Sequence, residues 1–542
     1  MHGLVVRLGG GTLLGLTFGA ALVVAQAGHA DHAALPPSFS QPIPLHPKAL
    51  GSLTRPISSS VPEVQAYFDQ GLQMKYAFAE IDAARSFREA ARRDPACAIC
   101  VWGEAWAWGS ALNSPISAFS APHAHAAAQQ ALALVNRASP VERALIEAIA
   151  LRYAMPFDPA TQRARDEAYA EAMRGVHERY PDDLDVATIY AEALFVLEPR
   201  RGARDITLPT VQRVLGVLER TLSRDIRHVG ACHLLIHLTE ATTEPGRAEA
   251  CAEYIGNAIP GASHINHMPS HTWNEIGRWG DSVRANIQAV HSDQKAAIGE
   301  GFAIYPTHNL HMLAFSASMD GQGAIAMQAG RDYAALTKDS MFHVLTLVRF
   351  GRFDEILTIP RPAAEPAIPL GVWEFGQGYA RLNAGDAAAG RAHLERLVRA
   401  AAVQARFRFH DAEHLLGSLI GILEGEILRL SGDLHGAITA FERGVRLEEQ
   451  MIYDEPEPLP FSARHWLGAA LLDAGRAADA ERVYRDELAN HPKNGWSLFG
   501  LEQALTAQGK PAADIHREFD ASWARADHWL RRSSPVVRPL QR

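Results

Sequence analysis

Paired histidines recur at helical spacing near the middle of this chain. His233 and His237 are four residues apart, and so are His267 and His271. Residues four apart lie on the same face of a helix, so each pair presents two imidazoles together. Glu240 follows three residues after the first pair and adds a carboxylate to that face. Such an arrangement pre-orients the ligands of a metal ion.

The two pairs are also in register with each other. An interval of 34 residues separates their first histidines, and the same interval separates their second histidines. His308 and His311 continue the pattern after a slightly longer connection, and His264 adds an imidazole just before the second pair. Packed helices have axes about 8–10 Å apart. Imidazoles from successive helices of a stack could therefore reach a common point.

We predict a metal centre from this register. The predicted ligands are His233, His237, His267, His271, His308 and His311. Glu240 and His264 are the predicted catalytic residues, and Glu240 would serve as a ligand or as a general base. Seven histidines and one carboxylate exceed the needs of one tetrahedral ion, which favours two ions, or one ion with acid–base and supporting histidines.

The chemical type of the predicted ligands limits which metal ions they could bind. A nitrogen-rich set favours copper or iron and also suits zinc, whereas calcium and magnesium prefer oxygen ligands. A dinuclear copper or iron centre would imply redox chemistry on a small molecule, so we predict a metal-dependent oxidoreductase. Zinc would instead imply a hydrolase with a metal-bound hydroxide. The same sequence is also compatible with a metal-storage or delivery protein and with a non-enzymatic interaction scaffold.

A structural or pH-responsive histidine cluster is the competing interpretation. Mutual repulsion makes clustered imidazoles unfavourable without metal or proton partners. His228 and His291 are expected to be ordinary core histidines. His410 and His414 are again four apart, and they would form a second site or curve back over the concave face.

Two further features carry chemistry of other kinds. The segment from Tyr453 to Pro458 is acidic and proline-rich, and it would cap a groove or be a solvated connector. The four cysteines are expected to form two local disulfides, with a redox-active C-x-x-C pair as the alternative. The expected pairs are Cys97–Cys100 and Cys232–Cys251.

Recurring small and aromatic residues indicate the elements that position these groups. Gly71, Ala83, Phe87, Ala90 and Pro95 define offsets from the glycine of 12, 16, 19 and 24 residues. Two later segments repeat most of these offsets: Gly425, Ala437, Phe441 and Gly444, and then Gly468, Ala480, Tyr484 and Pro492. This spacing resembles the tetratricopeptide repeat (TPR), whose period is about 34 residues. We predict an all-α, tetratricopeptide-like α-solenoid of roughly a dozen helix pairs.

The chain divides into four predicted parts. Arg7, an apolar run from Leu13 to Val24 and an Ala-Gln-Ala sequence predict a signal peptide over 1–27, the alternative being a membrane anchor. An extended Pro/Ser-rich arm over 28–60 follows. The solenoid spans 61–530 with its His-rich centre at 228–311, and 531–542 form a C-terminal tail. The protein is therefore expected to be periplasmic or secreted, without a membrane span after cleavage.

The predicted partner is a small molecule or peptide in the concave groove of the solenoid. A net charge of −9 and scattered basic residues exclude an extended nucleic-acid surface. The oligomeric state is not predicted.

Several segments resemble a family of bacterial exported tetratricopeptide-repeat proteins. The matching segments are Asp94–Ala105, Cys232–Ala241, His267–His271, Tyr305–His311, Tyr453–Pro456 and Asn494–Leu501. The similarity spans nearly all of the chain after the leader. It implies the helical solenoid and supplies no activity.

Overall fold

The computed structural model describes residues 35–199, 202–363 and 366–537. The predicted signal peptide over 1–27 lies outside the described residues, as do 28–34 of the arm and 538–542 of the tail. The described part is α-helical, apart from one sheet of two short strands. The all-α prediction is confirmed. Among the described helices, none combines the length and apolar character needed to cross a bilayer.

The helices are numbered here in chain order. The first group is α1 (Pro62–Tyr76), α2 (Glu80–Arg93), α3 (Ala98–Trp108), α4 (Ser120–Ala133), α5 (Pro140–Ile149), α6 (Pro159–Arg179), α7 (Leu184–Phe195) and α8 (Pro209–Arg224). The central group is α9 (Val229–Thr239), α10 (Glu249–Ile255), α11 (Ser263–His267), α12 (Pro269–Glu275), α13 (Trp279–Ala297), α14 (Pro306–Met319) and α15 (Gly323–Thr337). The last group is α16 (Met341–Arg349), α17 (Phe353–Ile356), α18 (Ala367–Asn383), α19 (Ala387–Ala401), α20 (Ala412–Leu430), α21 (Leu434–Glu448), α22 (Arg464–Asp473), α23 (Ala477–Asn490), α24 (Gly495–Ala507) and α25 (Ala513–Trp523).

Consecutive helices pack on each other as pairs. When α11 and α12 are counted as one interrupted helix, the described helices form twelve pairs, beginning with α1–α2 and ending with α24–α25. The first helix of each pair also tends to contact the first helix of the next, as α1 contacts α3 and α20 contacts α18. This is the stacking expected of a tetratricopeptide-like solenoid.

The recurring glycines make room for the recurring aromatic rings. An added Cβ at Gly71 of α1 would lie 2.8 Å from the Phe87 ring, and one at Gly103 of α3 would lie 2.4 Å from it. Tyr484 occupies the same place between Gly468 and Gly500. The aromatic ring of each second helix therefore fills the gap between two first helices, which explains the spacing seen in the sequence.

The solenoid closes on itself in its N-terminal half. The end of α1 packs against α9, four pairs further along the chain. Gly230 lies directly under the ring of Tyr76, so that an added Cβ would lie 2.5 Å from it. This contact brings the first pair of the solenoid onto the histidine-bearing fifth pair.

A second closure joins the C-terminal pairs to the centre. Trp279 donates its indole N–H to the Pro492 carbonyl at 2.9 Å, and Trp496 donates to the Ser318 carbonyl at 2.9 Å. The first bond joins α13, in the sixth pair, to the connection before α24. The second bond joins α24 to α14. The first helix pair and the C-terminal pairs thus both contact the His-rich region.

Residues 41–60 run over the helices without regular secondary structure of their own. Gln73 of α1 accepts from the Gly51 amide at 2.7 Å and donates to the Leu53 carbonyl at 2.7 Å. Arg55 pairs with Asp183, at the start of α7, at 2.7 Å. Side chains of the solenoid therefore satisfy backbone groups of the arm that have no ladder partner.

The two strands form a small hairpin before α20. Strand β1 (Arg406–Phe407) pairs antiparallel with β2 (His410–Asp411), with Phe407 opposite His410. Arg408 in the turn adopts a left-handed backbone with φ of 54°.

Both expected disulfides are present. Cys97 is bonded to Cys100 at the start of α3, and Cys232 of α9 is bonded to Cys251 of α10. The second bond lies immediately before His233 and ties the two helices of the fifth pair together.

Candidate metal centre

Helix α9 carries the first histidine pair. It is apolar around most of its circumference and is buried at every position, as expected for a helix enclosed by its neighbours. His228 caps its N-terminus by accepting from the Ala231 amide at 3.1 Å and contacts Asp185 at 3.2 Å. His228 is therefore a structural residue, as expected, and fixes the helix that presents His233 and His237.

The second pair lies on an interrupted helix. Residue Pro269 begins α12 directly after α11 ends at His267. The two imidazoles still meet across the break, since Nε2 of His267 lies 2.8 Å from Nε2 of His271.

The six histidines nearest to each other form two triads. In the N-terminal triad, His233, His237 and His264 each offer a nitrogen within 4.8 Å of the others. The Nε2 atoms of His233 and His264 are 3.2 Å apart. All three side chains are buried.

The C-terminal triad has the same composition. It consists of His267, His271 and His308, again with one nitrogen of each within 4.8 Å of the others. The ring centroid of His308 lies 4.6 Å from that of His267 and 5.7 Å from that of His271. The first two members are buried and the third is partly exposed.

Two carboxylates lie where the triads meet. Glu240 accepts from His237 Nδ1 at 2.9 Å, and its other oxygen lies 2.5 Å from His271 Nδ1. The Glu455 carboxylate approaches the same two imidazoles, at 3.6 and 3.2 Å. These four residues also satisfy the distance limit for sharing one ion. Glu240 thus joins the two triads directly.

Hydrogen bonds fix which nitrogen of several rings faces inward. His233 donates from Nδ1 to the Tyr76 carbonyl at 2.6 Å, and His267 donates from Nδ1 to Asn286 Oδ1 at 3.1 Å. His237 donates from Nδ1 to Glu240 in the same way. A neutral imidazole that donates from Nδ1 keeps a lone pair on Nε2, which is the form that binds a metal ion.

Burial and mutual proximity disfavour protonation of three of these rings. Desolvation and neighbouring histidines hold the pKa of His264, His267 and His308 well below the usual value. His271 differs: although burial opposes protonation, Glu240 and Glu455 raise its pKa to about 9. A metal ion would displace that proton, because only the neutral ring coordinates.

Strained aromatic residues surround the N-terminal triad. The Phe78 ring centroid lies 4.0 Å from that of His233, and the Tyr305 centroid lies 5.0 Å from that of His264. Both residues have left-handed backbones, with φ of 59° and 56°. Such a backbone is uncommon for bulky residues and is often found at functional sites.

The acidic loop is a cap over the centre. Asp454 and Glu455 are buried, so the interpretation of Tyr453–Pro458 as a solvated connector was wrong. Arg408 lies 2.7 Å from Asp454 Oδ1, and His410 lies 3.1 Å from the other oxygen. This loop supplies Glu455, which sequence reasoning missed although it identified the loop.

Three predicted roles are not supported by the geometry. His311 stacks on Phe342, with centroids 3.9 Å apart, and bonds the Glu457 carbonyl, so it lies outside both triads. His414 is not brought to the centre, although its partner His410 holds the loop. His291 is exposed and is not a core residue.

A cavity of about 470 Å³ opens beside the centre. His271 and Glu455 lie in its wall together with Glu275, Trp279 and Phe315. Burial raises the pKa of Glu275 to about 8 and, with help from Glu487, that of Glu448 to about 7. The centre is therefore reached from an acidic and partly aromatic space.

The known proteins to which this chain is similar are solved structures at low sequence identity and low TM-score. No protein-family model and no curated protein sequence matches the chain. The chain is similar to the Cut9–Hcn1 hetero-tetramer of the APC/C, at 11% identity and a TM-score of 0.28, over 85% of this chain and 94% of the other. It is similar to the human IFIT1 dimer with m7Gppp-AAAA, at 10% identity and a TM-score of 0.29, over 79% of this chain and 90% of the other. It is also similar to the P58(IPK) TPR domain, at 11% identity and a TM-score of 0.20, over 82% of this chain and 98% of the other.

These identities and TM-scores are too low to support any functional argument. The class of protein follows from the packing of the helices: the chain is an all-α solenoid of tetratricopeptide-like helix pairs, with clustered histidines at its centre.

Proposed function

We propose that this protein binds transition-metal ions in its core, one ion in each histidine triad. The observation that carries the proposal is the orientation of the rings. His233, His237 and His267 each use Nδ1 to donate to a carbonyl, carboxylate or amide oxygen, and this leaves Nε2 for a ligand. Supporting bonds of this kind are the usual companions of metal-ligating histidines.

The spacing of the nitrogens supports the same proposal. Ligands at about 2.0–2.1 Å around a tetrahedral ion are separated from each other by about 3.3 Å. The Nε2 separations of 3.2 Å in the N-terminal triad and 2.8 Å in the C-terminal triad are close to that value. The donor set is rich in nitrogen, which favours copper or iron and also suits zinc.

Glu240 would act as a supporting carboxylate in this arrangement. Its two oxygens each contact a ring of a different triad, so it orients both rings and makes them more basic. This role replaces the general-base role that the sequence suggested. His264 belongs to the N-terminal triad and is proposed as a ligand.

A different occupancy is compatible with the same residues. One ion would lie between His237, Glu240, His271 and Glu455, which offer two nitrogens and two oxygens. In that case Nδ1 would be the coordinating atom, and the two triads would hold no ion of their own. Metal stoichiometry and position separate the two arrangements.

Redox catalysis remains the hypothesis for what the centre does. Bound copper or iron would supply electron-transfer or oxygen chemistry to a small molecule in the adjoining cavity. Storage or delivery of the metal would use the same ligands without turnover. Oxidation of a candidate reductant in large excess over the bound metal would indicate catalysis, whereas oxidation of no more than one equivalent per metal would indicate storage or delivery.

An interaction scaffold is the second candidate function. The fold favours it, because stacked helix pairs form extended surfaces that commonly bind partners. The buried histidines would then be structural, and the protein would fold fully and bind its partner without metal.

Metal analysis of matched variants tests the proposal. We expect about two ions per chain in the wild type, one in His233→Ala and two in His311→Ala. The last variant is the control, since it removes a buried histidine of α14 outside both triads. A wild type with far less than one ion, or equal losses in both variants, would refute the proposal.

A further inference from the structure

The cavity beside the centre has an inner and an outer end. Its wall includes His271 and Glu455, both buried and both part of the proposed centre. It also includes Thr243 and Ile452, which are exposed. The space therefore connects solvent with the point where the two triads meet.

The wall of this cavity is strongly acidic. Its carboxylates are Glu275, Glu448, Glu449, Asp454, Glu455 and Glu457. Four of them contact a cationic or titratable group. Arg464 pairs with Glu449, and His491 lies 3.3 Å from Glu457. Asp454 contacts Arg408, and Glu455 contacts His271.

Two carboxylates of the wall have no such partner. Glu448 accepts from the Ser462 hydroxyl at 2.6 Å and from the Ala463 amide at 2.7 Å, neither of which carries a charge. Glu275 makes no hydrogen bond or ion pair within the described part of the chain. Negative charge in a walled cleft concentrates cations and accelerates their arrival.

The N-terminal triad is more closed on its other sides. Phe78 packs over His233, His237 and His264. Tyr305 stands edge-on against His264 from a further side. A cation would therefore reach the N-terminal triad more easily along the acidic cavity than past these rings, whereas His308 of the C-terminal triad is itself partly exposed.

We propose that this cavity is a loading chamber for divalent metal cations, in which Glu275 and Glu448 attract the ion before it reaches the histidines. The inference rests on the proposed metal-binding function. It adds that the folded protein takes up its metal directly from solvent, along a defined acidic route. Glu275 and Glu448 assist transfer and are not final ligands.

Uptake kinetics of Co²⁺ test the chamber. Metal-free wild type, Glu275→Gln/Glu448→Gln and Glu395→Gln/Glu413→Gln would be mixed with Co²⁺ at pH 8.5, and absorbance followed by stopped flow. At pH 8.5 Glu275 and Glu448, whose pKa values are about 8 and about 7, are mostly ionised. Both double variants therefore remove carboxylate charge, but Glu395 and Glu413 are exposed on α19 and α20, outside the cavity.

We expect the cavity variant to load about tenfold more slowly at low ionic strength, with the difference shrinking as salt is added. The control should load at the wild-type rate, and all three should end with the same Co²⁺ content. Equal rates in the two variants would overturn the chamber. A lower final content in the cavity variant would also overturn it, because Glu275 or Glu448 would then be a ligand.

Failure of the proposed metal-binding function can be distinguished from failure of the chamber. If the wild type takes up no Co²⁺, Zn²⁺ or Cu²⁺ at all, the metal-binding function is refuted and the chamber with it. A wild type that binds two ions, beside a cavity variant that loads equally fast, refutes the chamber alone.

Discussion

Glu240 lies between the two histidine triads, with one carboxylate oxygen 2.9 Å from His237 Nδ1 and the other 2.5 Å from His271 Nδ1. It is the C-cap residue of α9, where the helix ends and its side chain can turn back toward His237. A single carboxylate therefore orients one ring of each triad.

Substitution of Glu240 should weaken metal binding without removing a proposed ligand. In Glu240→Gln the amide keeps an acceptor for only one of the two imidazoles, and the negative charge is lost. Loss of such a supporting carboxylate typically lowers metal affinity about 10–100-fold. Chelator competition would measure the change.

The exposed Glu413→Gln substitution is the control for that experiment. It removes the same charge from the surface of α20 and should leave the affinity unchanged. An unaltered affinity in Glu240→Gln would contradict the supporting role, whereas complete loss of one ion would point to direct coordination by Glu240.

Two glycines test the packing of the helix pairs. At Gly103 an added Cβ would lie 2.4 Å from the Phe87 ring, whereas at Gly175 on α6 it would meet nothing within 4 Å. We expect Gly103→Ala to lower the free energy of unfolding by about 1–3 kcal/mol through overpacking. Gly175→Ala should raise it by about 0.5–1 kcal/mol, because alanine favours the helix. Urea unfolding measures both, and a stable Gly103→Ala variant would contradict the described packing.

The acid Glu448 predicts a pH dependence of stability. Its pKa is about 7 in the folded chain against 4.5 in the unfolded chain, so folding favours the protonated form. Stability from this group is therefore complete below about pH 4.5 and is lost as the pH rises toward 7. At about 1.4 kcal/mol per pH unit, the loss amounts to about 3–4 kcal/mol.

Comparison with Glu448→Gln isolates this contribution. The variant cannot ionise at position 448, so its stability relative to wild type should increase between pH 4.5 and 8. Urea unfolding of the metal-free proteins across this range provides the measurement. A constant difference between the two proteins would contradict the raised pKa of Glu448.

The repeat period predicted the parts of the centre that lie within and between neighbouring pairs. His233, His237, His267 and His271 follow the 34-residue register, and the structure brings them together. Local periodicity suffices here because adjacent first helices are stacked in a regular way. The glycine–aromatic spacing is likewise a local property, and it predicted the fold.

The repeat period could not predict the residues that reach the centre because the solenoid closes on itself. Phe78 comes from the first pair and Glu455 from a loop near the tenth, and neither shares a period with α9. His311 shows a different limit. It follows His308 by three residues and lies on nearly the same side of α14. Its ring nevertheless stacks on Phe342 and bonds the Glu457 carbonyl, two partners from other parts of the chain that the repeat period does not reveal.

Anomalous diffraction from crystals soaked in Co²⁺ or Cu²⁺ is the most direct test of the central claim. The account predicts two anomalous peaks, one among His233, His237 and His264, and the other among His267, His271 and His308. A single peak between Glu240 and Glu455 would contradict the two-ion arrangement. No peak at the histidines would contradict metal binding altogether.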